Sequence, residues 1–382
     1  MLGFLKKSLE SRVYGLDHAV LNIQLPPATM WMNMGYWKDT EDFPKACQAL
    51  LDQVLKAGLR EEDRSQSRSL SILDVGCGCG DQSIHIASLR KSRPSSTSNS
   101  TRISESTSHS VHESAGPVVQ QRVAGAESSA GPLVDVYVGI TLQPSQAELG
   151  QQRIRVHHQR QNSLGKRGVD EVKANNNDND NDNLNDSLSN YNIFCADAAN
   201  PSTWTGDLHT SMTKIIRTST PLKSNSSRPS SSSSLSSSST WLLALDTMYH
   251  FQPSRLPILH YANTTLHASF MAFDLLLADQ TSFWQRLKLR LVCWITGTPF
   301  ANFLTRDEYL RLLVEAGYDR DRVEIVDISR DVFPGITKFL GRRIREGQPF
   351  GLNLGKFRGA RMVFGWWARS EIVRGVVVVA RK

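Results

Sequence analysis

The chain has no CxxC pair and no apolar run long enough to cross a bilayer, and its cysteines are an odd set of five: Cys47, Cys77, Cys79, Cys195 and Cys293. That usage excludes a disulfide framework and points to a reducing compartment, so a cytoplasmic location is expected. The most apolar helical stretch, 283–295, carries Arg286, Lys288 and Arg290 and stops short of the roughly 20 residues that a span requires. Dense Lys/Arg runs are missing as well. The formal charge is +7, but its carriers are scattered, which argues for solubility and against a specific nucleic-acid partner. Residues 1–14 mix Leu2, Phe4, Leu5 and Leu9 with Lys6, Lys7 and Arg12. The short apolar stretch argues against a secretory signal, and the nearby acids Glu10 and Asp17 argue against a mitochondrial presequence.

What is present is enough for a core: hydrophobic residues make up 40% of the chain and 8 are Trp, so something folds. Three stretches cannot contribute to it. Residues 91–132 are dominated by Ser, Thr and charged side chains, 157–190 contain an Asn/Asp run, and 218–240 contain a serine tract. Each has too little apolar surface to offset the entropy of ordering and is expected to be disordered. With these set aside, roughly 280 residues remain, a plausible single domain. The expected organisation is an N-terminal helical arm over 1–60, followed by one domain over 61–382 with the three interruptions.

The remaining elements alternate. A helix over 46–59 places Ala46, Leu50, Val54 and Leu55 on one face. Strands follow at 71–75, 134–142, 191–196, 241–245, 269–277, 323–328 and 375–380, with helices at 81–90, 145–156 and 256–267. Thr305 and Glu308 form a capping-box pattern opening a helix over 306–316 that Gly317 closes. This order predicts an α/β fold: a Rossmann-like, seven-stranded, mostly parallel sheet with helices on both faces. The three polar stretches precede strands, so they should leave from the edge opposite the strands' carboxyl ends, where open sheets bind ligands.

The strongest local signal is Leu73-Asp74-Val75-Gly76-Cys77-Gly78-Cys79-Gly80-Asp81, a glycine-rich turn from strand to helix. Glycines let the backbone turn sharply and approach a ligand closely. A dinucleotide site would want a third glycine at 81, and a carboxylate there would repel a diphosphate at the helix N-terminus. A cationic sulfonium nucleoside suits the loop better, since a carboxylate such as Asp74 can meet its positive amino-acid group. Cys77 and Cys79 alone make a weak metal signal, and none is expected.

The turn resembles the first motif of class I S-adenosylmethionine-dependent methyltransferases, whose loop lies beneath the methionine part of the cofactor. The resemblance assigns Asp74, Gly76, Cys77 and Gly78 to S-adenosylmethionine. The following strand ends Gly139-Ile140-Thr141-Leu142-Gln143-Pro144-Ser145-Gln146. That run resembles the GxTLSxxQ variant of the cyclopropane-synthase-like and ubiquinone/tocopherol-methyltransferase-like subgroups, which implies ribose-side roles for Thr141, Leu142 and Gln146. Gln143 departs from the variant, and the lesser alternative for Gln146 is an exposed first-turn residue. Cys195-Ala196-Asp197-Ala198 resembles the adenine-side motif: Asp197 would accept the adenine amino hydrogens and Ala198 would leave room for the ring, unless Asp197 only caps the next turn.

On the substrate side, the fourth strand leads into Asp246-Thr247-Met248-Tyr249-His250-Phe251. His250 is the candidate base and Tyr249 the orienting aromatic, although a histidine here could equally be structural. Asn33-Met34-Gly35-Tyr36-Trp37 resembles the NxGYW segment that folds over the cofactor, so Tyr36 and Trp37 would either wall the site or anchor the arm by burial. Trp284 and Trp294, in the apolar and basic stretch after the fifth strand, would belong to a small helical substrate cap, rest on an anionic membrane or pack in the core. The resemblance implies methyl transfer to an oxygen, nitrogen or carbon of a small lipophilic or aromatic molecule. Its rivals are lipid C-methylation or cyclopropanation, and a non-catalytic cofactor-binding module.

Overall fold

A computed structural model describes residues 29–64, 68–91, 131–167, 190–219, 238–348 and 352–382. The expected disorder of the three interruptions falls mainly outside these residues, as does the first half of the N-terminal arm. At the edges of the interruptions the order extends further than composition indicates. One helix runs to Arg167, another reaches Ser219, and the following strand begins at Ser238.

Seven strands form one sheet: β1 (Ser69–Val75), β2 (Val136–Thr141), β3 (Tyr191–Cys195), β4 (Ser238–Leu245), β5 (Ser269–Leu277), β6 (Val323–Asp327) and β7 (Val373–Ala380), in the order β3-β2-β1-β4-β5-β7-β6. The first five pair in parallel, and β7 enters antiparallel between β5 and β6. The central strands are buried along nearly their whole length, which is why they read as continuous apolar runs. The helices are α1 (Phe43–Gly58), α2 (Asp81–Ser88), α3 (Pro144–Arg167), α4 (Gly206–Ser219), α5 (Leu256–Thr264), α6 (Phe283–Thr296), α7 (Arg306–Glu315), α8 (Ser329–Gly347) and α9 (Gly355–Ser370).

Strand alternation divides the core in two. Leu70, Ile72, Met271, Phe273, Val377 and Val379 face α1, α2, α3, α8 and α9, whereas Leu73, Val75, Phe270, Ala272, Val376 and Val378 face α4, α5 and α7. The Thr305–Glu308 capping box forms as expected, and Gly317 adopts φ 101° just beyond the end of α7. Among the described residues no helix is long and apolar enough to cross a membrane.

One ion pair inside the second core layer fixes the far side of the sheet. Arg255, just before α5, is 1% exposed and donates to the carboxylate of Asp274 on β5 and to the backbone oxygen of Asn302. Tyr309 of α7 donates its hydroxyl to the same carboxylate at 2.9 Å. A buried pair is weak evidence for stability as a whole, but removing one partner strands the other. Replacing Arg255 by Met should therefore cost about 3–5 kcal/mol, read as a lowered midpoint in chemical denaturation. A loss below about 1 kcal/mol would show that Asp274 finds solvent or another partner.

Candidate functional site

In the order β3-β2-β1-β4, strands are added to one side of β1 up to β3 and to its other side from β4 on, and a crevice opens outside the carboxyl ends of β1 and β4. A cavity of about 380 Å³ lies there, walled by the turn after β1, the ends of β2, β3 and β4, and the segment from Met30 to Asn33. The size falls within the usual range for small-molecule sites.

The turn takes its shape from glycines at φ 85° (Gly76), 61° (Gly78) and 87° (Gly80). Their neighbours differ. A Cβ on Gly76 would lie 2.5 Å from Thr247 Oγ1, and one on Gly80 would lie 2.9 Å from Gly150 Cα in α3, so these two permit close packing. A Cβ on Gly78 would meet only Met32 Sδ, at 3.2 Å, because this glycine faces the open cavity.

Asp74 does not reach the cavity. It is fully buried beneath the turn, accepting from Tyr137 Oη at 2.5 Å and from Gln82 Nε2 at 2.6 and 2.7 Å. Burial pushes its pKa up to about 6, against the pull of those two donors. The expectation that Asp74 meets a ligand's positive group is corrected: strand alternation turns its side chain under the loop.

The carboxyl groups that do line the cavity are Asp81, Asp197 and Asp246. Asp81 is paired with Arg153, whose two Nη atoms reach its oxygens at 2.6 and 2.7 Å, and it accepts from Met30 N at 3.0 Å. Its charge is therefore largely balanced, and repulsion of a diphosphate by Asp81 alone is weaker than the sequence implies. Asp197 caps the next turn, accepting from Ala199 N at 2.9 Å and Asn200 Nδ2 at 2.5 Å. A carboxylate offers about four lone-pair sites, so this leaves capacity for a ligand.

Asp246 is the functional candidate that sequence reasoning passed over. It terminates β4 at φ 60°, a left-handed conformation unusual for a residue with a side chain. Its carboxyl group accepts from Met34 N at 2.8 Å and Tyr249 Oη at 2.8 Å. Burial raises its pKa to about 7, offset in part by those donors and reinforced by the charge of Asp274. Its position at the carboxyl end of the strand beside the crevice was the signal available; the histidine four residues on drew the attention instead.

Gly76, Cys77, Gly78, Thr141, Leu142, Gln146, Asp197, Ala198, Tyr249 and His250 all line the cavity. Thr141 Oγ1 donates to Gln146 Oε1 at 2.8 Å, so Gln146 is held inward, 3% exposed, and is not a surface residue. The His250 ring lies tilted at 45° against Tyr249 with centroids 4.2 Å apart, and burial lowers its pKa to about 3, which keeps the imidazole neutral. Asn302 holds this turn by donating Nδ2 to the carbonyls of Tyr249 at 3.1 Å and Phe251 at 2.6 Å.

Four expected wall residues lie elsewhere. Tyr36 and Trp37 pack against α1 and α8: the Trp37 ring lies 5.4 Å from Phe339, its backbone N donates to Asp331 O, and Gly335 leaves the slot it fills. They anchor the arm, and Met30 to Asn33 of the same segment wall the cavity. Trp284 and Trp294 on α6 are 68% and 80% exposed and do not line it, whereas Thr296 and Gly297 at the end of α6 do. Among the described residues no group of His, Cys, Asp and Glu could hold a metal ion.

No model of a known protein family matches the chain, and no curated protein sequence does. Solved structures do. The mycolic acid cyclopropane synthase CmaA1, in its apo form, aligns with 96% of this chain and 99% of its own at 13% identity and a TM-score of 0.51. A protein described as a sarcosine dimethylglycine methyltransferase from Galdieria sulphuraria aligns with 92% of this chain and 93% of its own at 10% identity and a TM-score of 0.50. At such identity the likeness is one of fold: the seven-stranded sheet is shared almost end to end.

Asp246 makes folding depend on pH in a definite direction. Its folded pKa, about 7, lies above the unfolded value near 3.8, so the stability it contributes is complete below pH 4 and is lost as pH rises through 7. Asp246→Asn, which removes the titration, should gain stability relative to the unsubstituted chain between about pH 4 and 7 and hold a constant difference above about pH 8. Denaturation midpoints across that range measure it, and a difference independent of pH would mean that the carboxyl titrates as an ordinary one.

Proposed function

We propose that the chain is a class I S-adenosylmethionine-dependent methyltransferase acting on an oxygen, nitrogen or carbon of a small lipophilic or aromatic molecule. The observation that carries this reading is the make-up of the cavity wall: a glycine turn open at Gly78, three carboxyl-bearing residues, and no Lys or Arg among the lining side chains. A diphosphate would find no cation there, whereas a sulfonium nucleoside finds acceptors for its positive groups. The cofactor, when bound, would supply an electrophilic methyl group.

The residues fit that group in position. Gly76, Cys77 and Gly78 would lie against its amino-acid part, Thr141, Leu142 and Gln146 against the ribose, and Asp197 and Ala198 against the adenine. Asp246 and Asp81, both joined to the 30–34 segment through backbone N–H groups, would hold that segment over the site and limit water. Methyl transfer rewards alignment, so positioning supplies most of the rate. An acceptor bearing a proton gains from a base matched to the working pH. Of the two titratable groups beside Tyr249, Asp246 is matched near neutrality, while His250 holds a proton too weakly. His250 therefore serves as a neutral hydrogen-bonding wall.

Lipid C-methylation or cyclopropanation is the second reading. That chemistry develops a carbocation and wants an anion nearby, and the Asp246 carboxyl stands in the wall.

Calorimetry tests the cofactor assignment. Heat should appear with S-adenosylmethionine or S-adenosylhomocysteine and disappear in Gly78→Val, whose side chain enters the cavity. Silence with both nucleosides alongside uptake of a dinucleotide would end the assignment. A labelled methyl donor with a metabolite extract then tests the chemistry. With the acceptor so found, Asp246→Asn should lower kcat by about 100-fold or more and His250→Ala by less than about 10-fold. The reverse ranking would restore His250 as the base, and cofactor binding without any turnover would favour a non-catalytic module.

A further inference from the structure

Helix α6 touches the rest of the protein along a narrow strip and leaves most of its surface to solvent. Leu289 and Cys293 are its buried residues. Phe283, Trp284, Leu287, Leu291, Trp294 and Ile295 are between 46% and 80% exposed. At 100° per residue these six fall within one arc of about 120°. Isolated exposed apolar residues are ordinary, but six on one arc of one helix are a contiguous patch that needs a partner.

The flanks of the arc identify the partner. Lys288 lies at one edge, Arg286 and Arg290 at the other, and the helix carries no acidic residue. All three cations are exposed. Arg286 is steadied by Thr281 Oγ1 at 2.6 Å and Arg290 by the Phe300 ring, 4.9 Å from its guanidinium carbon. Two Trp, a Phe and branched aliphatics facing one way with cations along both borders match what an anionic lipid surface recognises: the apolar arc enters the acyl boundary while the cations meet the headgroups.

We propose that α6 is a docking helix by which the chain rests on an anionic phospholipid bilayer. The end of α6, Thr296 and Gly297, lines the cavity, so docking brings the cavity's rim close to the lipid. Insofar as this bears on the acceptor it rests on the methyltransferase reading, and it predicts an acceptor that partitions into lipid.

Flotation of the full chain with vesicles of phosphatidylcholine, with and without phosphatidylglycerol, is the test. The chain should float with the anionic vesicles, stay behind with the neutral ones, and be released by salt. Trp284→Glu with Trp294→Glu should lower the bound fraction about tenfold or more, and so should Arg286→Glu with Lys288→Glu and Arg290→Glu. All five positions are exposed, so circular dichroism and the heat of S-adenosylmethionine binding should be unchanged. That second readout separates this proposal from the cofactor assignment, because either can fail alone.

Three results would overturn the proposal: no partition of the unsubstituted chain, variants that partition as well as the unsubstituted chain, or a dimer by sedimentation that the Trp variant converts to monomer. The last would mean that a second copy covers the arc. Acrylamide quenching without vesicles gives a further check, since Trp284 and Trp294 shielded in the monomer would mean that the chain covers the arc itself.

Discussion

One buried carboxyl group holds the site's floor. Asp74, next to last in β1, lies beneath the glycine turn and gathers donors from two neighbours, Tyr137 of β2 and Gln82 of α2. Three elements are thereby pinned at one point below a loop whose three glycines, all at positive φ, have no side chains to pack. Ser83 of α2 adds a contact to the Tyr137 hydroxyl at 2.7 Å, extending the network. In a dry interior such a network is strong when satisfied and costly when broken, so the turn keeps one shape without a ligand. The cavity inherits that shape.

The upper wall is held by similar means. The 30–34 segment donates one backbone N–H to Asp81 and another to Asp246, on opposite sides of the crevice. Asp81 is also clamped by Arg153 of α3, and Asp246 is clamped by Tyr249, whose turn is in turn fixed by Asn302. The chain from Asn302 continues through its backbone oxygen to Arg255 and so to Asp274 on β5. Asp81 is thus tied to α3, and Asp246 with the turn after it is tied through Asn302 and Arg255 to β5. The balance of charge follows from that wiring: Arg153 is spent on Asp81 and Arg255 on Asp274, and neither guanidinium lines the cavity, whereas Asp81, Asp197 and Asp246 do.

Much of this was legible in the sequence, for physical reasons that differ by element. The parallel strands are buried on both faces and read as apolar runs, and the capped start of α7 is a local side-chain event that Thr305 and Glu308 announce by themselves. The glycine turn is equally local. Helices α8 and α9 were not legible. Pro334 and Gly335 inside α8 look like a break, yet the helix continues through them, and Gly335 admits the Trp37 ring, a contact spanning most of the chain. The misplacement of Asp74 has the same origin: a motif fixes the backbone, but which side of the loop a side chain serves depends on strand pleat and on a tyrosine from β2. Tyr36 and Trp37 are drawn away by α8, which the sequence pattern does not reveal.

The parallel sheet also assigns different tasks to its two ends. The three polar stretches leave after α2, within or after α3, and after α4, and each returns at the amino end of β2, β3 or β4. Arg90 and Pro132 even pair across the mouth of the first. The cavity lies at the opposite, carboxyl end. A long insertion there would have to be accommodated in the crevice itself, whereas at the amino end it costs only the slowly growing entropy of a larger loop. Helix α6 follows the carboxyl end of β5 and so shares the end that carries the cavity. The exposed apolar arc and the ligand-sized opening are therefore neighbours by topology, joined at Thr296 and Gly297.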